Sequence, residues 1–187
     1  MIGETVMNVL ILAGSNRKNS TSTKLCRYIE RILRGKGCDV TFFDLYRQPL
    51  PFYCPDDDPQ DDANLTALKN AITKANAVVL STPEYHGSMS GVLKNALDHL
   101  GSEHFEGKVV LSVSSAGGAV GVSSLQQLQA VVRYVHGINC PEWISIGGEN
   151  RQFDAQGEPL HPKQKERVAR AIDCFLKMAR SFPGATA

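Results

Sequence analysis

The chain has 187 residues, 42% of them hydrophobic and 21% charged, with 20 Lys and Arg against 19 Asp and Glu. That length predicts a single domain, 1–187, able to bury a real core. The net charge of +1 excludes a broad electrostatic footprint for nucleic acid or an anionic membrane surface. No apolar run reaches the ~18 residues that a membrane span needs. The opening MIGETVMNVLILAG has neither a basic start nor a small-residue cleavage site, so a cytoplasmic protein is expected.

Five cysteines, Cys26, Cys38, Cys54, Cys140 and Cys174, form no C-x-x-C pair. Their odd number and spacing point to free thiols rather than zinc or a redox pair. The histidines form no H-E-x-x-H, and no metal site is expected. His99, Glu103 and His104 read as a solvated cluster at a helix end.

In chain order, short apolar runs alternate with helical periods. The runs are Met7–Ala13, Asp39–Asp44, Ala77–Ser81, Lys108–Ser114 and Trp143–Ile146. Unbroken β-branched runs of this length suit strands buried on both faces of a parallel sheet. Between and after them lie five stretches with an apolar stripe at three- and four-residue steps. The first is marked by Leu25, Ile29, Ile32 and Leu33, the second by Leu65, Leu68, Ile72 and Ala75. Met89, Leu93, Ala96, Leu97 and Leu100 mark the third, Leu125, Leu128, Val132 and Val135 the fourth. Val168, Ile172, Phe175, Leu176 and Ala179 mark the fifth. Gly35 and Gly37 are expected to stop the first helix and Gly101 the third. Tyr46–Asp62 reads as a long surface loop and Phe182–Ala187 as a tail.

Five strand–helix repeats with right-handed crossovers give an α/β, doubly wound, five-stranded parallel sheet. The expected order is 2-1-3-4-5, with helices on both faces. Ligands bind such sheets at the carboxyl ends of the strands, where the order reverses. The loops after residues 13, 81 and 114 are therefore the place to look.

The first of these loops, Gly14-Ser15-Asn16-Arg17-Lys18-Asn19-Ser20-Thr21-Ser22-Thr23, runs into a helix. Free N–H groups at a helix start favour an anion, hydroxyls donate, and an Arg forks onto two oxygens. This is a phosphate cradle, although a Ser/Thr N-cap alone would use part of the same pattern. It is neither G-x-G-x-x-G nor a Walker A loop. The second loop carries Pro83-Glu84-Tyr85-His86-Gly87-Ser88, where an aromatic ring and small residues can wall a flat ligand. The third, Ser114-Ser115-Ala116-Gly117-Gly118, clears side chains from the end of the fourth strand. One phosphate site beside two ring-sized walls suits FMN better than a dinucleotide.

Three stretches resemble the NADPH-dependent FMN reductase family, the flavodoxin-like group that includes bacterial azobenzene, quinone and chromate reductases. They are Gly14-Ser15-x-Arg17-x-x-Ser20, Pro83-Glu84-Tyr85-His86 with Ser90-Gly91-x-Leu93-Lys94-Asn95-Ala96-Leu97-Asp98, and Ser115-Ala116-Gly117-Gly118. Asp44-Leu45, Pro49-Leu50-Pro51 and Asp56-Asp57-Asp58 are similar to the stretch after that family's second strand. The resemblance implies that Ser15, Arg17, Ser20 and Ser22 hold the FMN phosphate. Pro83, Glu84, Tyr85 and His86 would line the ribityl chain and the ring, and Ser115, Ala116, Gly117 and Gly118 would meet its pyrimidine end. Ser22 stands where many relatives carry Asn. It further implies hydride transfer from NADPH or NADH to FMN and on to quinones, azo compounds, chromate or free flavin, with no catalytic side chain. A homodimer or homotetramer is expected, with Pro83–Leu97 at the subunit contact. The alternative is a flavodoxin-type electron carrier. Such carriers are typically strongly acidic, and a charge of +1 disfavours that reading.

Overall fold

The computed structural model describes residues 6–57, 59 and 61–182. Of the expected tail, only Phe182 lies within them. The elements run β1 (Asn8–Ala13), α1 (Thr21–Gly35), β2 (Asp39–Asp44), α2 (Ala63–Lys74), β3 (Ala77–Pro83), α3 (Gly91–Asp98) and α4 (Ser102–Phe105). They continue with β4 (Val109–Ala116), α5 (Val122–Tyr134), β5 (Ile138–Asn139), β6 (Ile144–Gly147) and α6 (Pro162–Ser181).

All pairings in the sheet are parallel, in the order β2-β1-β3-β4-β5, with β6 also on β4. This is the expected doubly wound order. The one difference is at the edge, where the fifth strand is split. β5 pairs with Val109 and Val110, and β6 with Val113 to Ala116. Pro141 lies in the gap and has no N–H to continue a ladder.

Alternation along each strand divides the core between two faces. Val9, Ile11 and Ala13 of β1 join Leu25, Ile29 and Leu33 of α1 and Ile172 and Phe175 of α6 on one side. Leu10 and Leu12 join Leu68 and Ile72 of α2, Leu93 and Leu97 of α3, Phe105 of α4 and Leu128 of α5 on the other. No helix among the described residues is long and apolar enough to cross a membrane.

Three sequence expectations need correction. Gly101 does not end the third helix: α3 closes at Asp98, and Gly101 stands before α4, its N–H donating to His104 Nδ1 at 3.1 Å. β3 and β4 run on to Pro83 and Ala116, where Pro83 pairs with Ser115. Ser115 and Ala116 are therefore buried strand residues rather than loop residues. Finally, His99 and His104 are not a solvated cluster. His99 Nε2 lies 3.0 Å from Pro51 O, and burial lowers the pKa of His104.

Candidate functional site

The order reversal lies between β1 and β3, and the ends of these strands set the three loops side by side. Gly14 is where they meet. Its N–H donates to Ser81 O at 2.8 Å. A Cβ there would overlap Ser81 O and stand 2.8 Å from Leu93 Cβ, so only glycine lets β1, β3 and α3 approach this closely. Ser90 locks the junction. Its Oγ donates to Gly14 O at 2.5 Å and accepts from Leu93 N at 3.2 Å, capping α3. Its own N–H donates to Thr82 Oγ1 at 2.9 Å.

Loop 1 divides its hydroxyls between capping and display. Ser20 is the N-cap of α1, accepting from Thr23 N at 3.1 Å. Its Oγ also lies 3.0 Å from Ser22 Oγ and 2.8 Å from Thr23 Oγ1. Ser22 is buried and Ser15 fully so, and Ser15 Oγ accepts from Arg17 N at 3.2 Å. The chain reaches Ser20 through Asn19, whose φ of 58° turns it back toward the helix; Asn tolerates that region better than most residues. Thr21 and Ser22 offer the first free N–H groups of α1, with no protein acceptor among the described residues. Arg17 is exposed beside them, and its guanidinium has no carboxylate partner among the described residues. Free N–H groups, the positive end of a 15-residue helix and a guanidinium without a carboxylate partner among the described residues are the groups that favour an anion.

Loop 2 is a tight hairpin. Tyr85 and Ser88 exchange both backbone bonds, each 3.0 Å. His86 (φ 51°) and Gly87 (φ 73°) form the two-residue turn between them, the left-handed geometry that such a connection requires. Tyr85 and His86 are exposed at its tip. Glu84 points elsewhere. Its N–H donates to Ser115 O at 2.8 Å, and its Oε2 accepts from Ser124 N at 2.9 Å in the first turn of α5. Pro83, fully enclosed in β3, is buried.

Loop 3 exposes Gly117 and Gly118, and a Cβ on either would meet open space. The loop's shape is set from below. A Cβ on Gly147 would overlap Gly118 O and Ala119 O, so the end of β6 presses on the loop. Ser145 Oγ accepts from Gly121 N at 2.7 Å and from Ser114 Oγ at 3.1 Å. Gly147 and Ser145 were not candidates from the sequence. Their signal was faint: a Gly and a small polar residue near the end of the last strand.

Three further facts bound the chemistry. Burial pushes the thiols of Cys26 and Cys140 up to about 12, so neither supplies a thiolate near neutral pH. Among the described residues no His, Cys, Asp and Glu group is arranged to hold a metal. A cleft of about 480 Å³ lined by Lys36, Asp173, Leu176, Lys177 and Arg180 contains no residue of the three loops, and the Lys36–Asp173 ion pair (2.8 Å) lies in its wall.

The loop between β2 and α2 adds an unexpected feature. Asn95 of α3 holds it by both ends of its amide: Nδ2 donates to Pro51 O at 2.8 Å, and Oδ1 accepts from Tyr53 N at 2.9 Å. The Tyr53 and His99 rings meet edge to face at 5.3 Å. Phe52, between Pro51 and Tyr53 in the chain, is 91% exposed, although the backbone on either side of it is tied down.

The family model for NADPH-dependent FMN reductase matches residues 7–151, a span that contains all three loops. The chain belongs to the NADPH-dependent FMN reductase family. An FMN-dependent NADPH-azoreductase of Staphylococcus aureus is 36% identical to it over 143 residues, 74% of this chain and 76% of that one. FerB, a flavoenzyme NAD(P)H:(acceptor) oxidoreductase from Paracoccus denitrificans, superposes with a TM-score of 0.80 at 25% identity, over 95% of this chain and 99% of that one. The apo form of the NADH:FMN oxidoreductase EMOB shares the fold, with a TM-score of 0.71 at 21% identity over 96% and 95% of the two chains. The expected flavodoxin-like architecture is thus met. FMN is the cofactor of this family and NAD(P)H its donor. The donor set of loop 1 fits the phosphate of that cofactor in charge and in hydrogen-bond character.

Proposed function

We propose that the protein is an FMN-dependent NAD(P)H oxidoreductase serving small acceptors, with azo compounds and quinones ahead of chromate and free flavin. The observation that carries this reading is the anion site at the start of α1, side by side with the exposed Tyr85–His86 tip and the bare Gly117–Gly118 edge. FMN, when bound, supplies acceptance of a hydride from the nicotinamide and its return as electrons to the acceptor. The chain's part is to bind, orient and shield. Arg17 and the N–H groups of Thr21 and Ser22 take the phosphate, with Ser15, Ser20 and Ser22 fixing the loop from within. Tyr85 and His86 form one wall of the ring site, with the buried Pro83 and the α5-bonded Glu84 holding that segment from behind. Gly117 and Gly118, carried on the buried strand residues Ser115 and Ala116, form the other, and backbone N–H groups near these two glycines favour negative charge on the ring. No side chain serves as an obligatory acid or base.

The whole chain acts as one cytoplasmic flavodoxin-like domain, and two copies or more assemble. Phe52 supports self-association, since it stands 91% exposed next to Tyr53, itself 47% exposed, and burying such adjacent rings between copies is favourable. The loop that carries it is tied to Asn95 of α3, a residue of the Pro83–Leu97 region expected at the contact. Phe52→Asp is expected to shift sedimentation toward monomer; an unchanged oligomer would remove Phe52 from the contact.

The deciding experiment is the visible spectrum of the purified protein after incubation with FMN and removal of excess, followed by NADPH and NADH oxidation without any partner protein. A yellow protein that oxidises the nicotinamide with an azo dye or quinone is expected. A colourless protein would sink the reading. A yellow protein with no oxidation would turn it toward an electron carrier.

A further inference from the structure

Helix α5 holds the exposed turn of loop 2 through a side chain that none of the sequence motifs contains. The Gln127 amide uses both its ends on that turn. Its Oε1 accepts from Ser88 Oγ at 2.6 Å, and its Nε2 donates to Gly87 O at 3.0 Å. One turn earlier on the same helix, Ser124 N donates to Glu84 Oε2 at 2.9 Å. The segment from Glu84 to Ser88 is therefore pinned to α5 before and after its tip.

The turn needs that hold. Its left-handed pair is His86 and Gly87, and a His carries a Cβ that disfavours the left-handed region. Two backbone bonds close the turn, but its tip is exposed and water competes for them. The planar amide of Gln127 holds a donor and an acceptor in fixed relation, matching the carbonyl of Gly87 and the hydroxyl of the adjacent Ser88. α5 is itself anchored to the sheet by Leu125, Leu128 and Val132, all fully buried. The position of the tip is thus referred to the core.

We propose that Gln127 is a positioning residue. It acts through the Tyr85–Ser88 turn, fixing where Tyr85 and His86 stand and so the geometry of the ring site. This rests on the proposed flavin site, and the test separates the two. Gln127→Ala removes both bonds, and Ser88→Ala removes one. In the apo protein, amide exchange at Tyr85 and Ser88 rises about tenfold in Gln127→Ala while exchange at Val79 in β3 is unchanged. Adding Ser88→Ala to Gln127→Ala changes nothing more, because the bond is already gone. In the FMN-loaded protein, kcat falls about three- to tenfold and the visible circular dichroism of the flavin changes, while FMN affinity stays within about twofold. Unchanged amide exchange overturns the brace whether or not flavin binds. A loosened turn with unchanged kcat and flavin dichroism overturns the positioning role and leaves an ordinary surface bond. A wild-type protein that takes up no FMN overturns the flavin reading, and the positioning role falls with it.

Discussion

At the amino ends of the strands, polar groups are tied off. Asn76 N donates to Asn8 O and Asn8 N to Asn76 Oδ1, both at 2.8 Å. Lys108 is buried and spends its ammonium on Ile72 O in the last turn of α2, and burial lowers its pKa. At the carboxyl ends of the same strands, the reverse holds. Among the described residues, N–H groups at the start of α1 point at no protein acceptor and the Arg17 guanidinium has no carboxylate partner, while a His occupies left-handed backbone. Serines 90, 114, 124 and 145 brace the backbone behind the open groups rather than filling the space in front of them. One sheet thus has a closed end and an open end, and the proposed flavin site lies at the open one. The lesson is that the proposed site relies on strong groups left open on a rigid backing.

Substitutions at either end should separate stability from binding. The largest effect is expected for Phe105→Ala, at the closed end, where a side chain 1% exposed is removed from the core. Chemical denaturation should show a loss of about 3–5 kcal/mol, with FMN affinity of the folded protein unchanged. Weaker FMN binding in that variant would break the separation. At the open end, Arg17→Ala should weaken FMN binding by about 1.5–3 kcal/mol in a titration, through loss of a charge-assisted contact. Its apo melting temperature should not move, since the side chain has no carboxylate partner among the described residues. Asn76→Ala should cost about 1 kcal/mol of stability by removing the acceptor of Asn8 N, again without effect on FMN.

The smallest expected effect is a pH dependence at the closed end. Burial holds the His104 pKa below its ordinary 6.5, and its Nδ1 must be unprotonated to accept from Gly101 N. On acidification the unfolded chain therefore takes up its proton first. Stability is present above about 6.5 and is lost as the pH falls toward the lowered folded value. Melting curves between neutral and mildly acidic pH should show this slope, and His104→Gln should flatten it.

Strands and helices were legible because a buried parallel strand is an apolar run and a helix on a sheet is a stripe. Leu10–Leu12 and Leu25–Leu33 are such cases. The three loops followed from strand order alone. The division of labour within them was not legible. Ser20 and Ser22 have the same side chain, and only the start of α1 makes one of them the cap. Gln127, Ser145 and Gly147 escaped notice because their partners lie far off in sequence, 39 residues in the case of Ser88. The two residues of β5 and the four of α4 are too short to show a period.

The interruption of the fifth strand at Pro141 bears on how this protein stays dispersed. A long flat edge strand is a template on which another chain can add hydrogen bonds. Here that margin is divided into a two-residue and a four-residue piece, with a residue between them that cannot donate. The opposite margin, β2, begins and ends on aspartate. Among the described residues neither margin of the sheet offers a long row free of both charge and interruption, which disfavours strand addition by another copy.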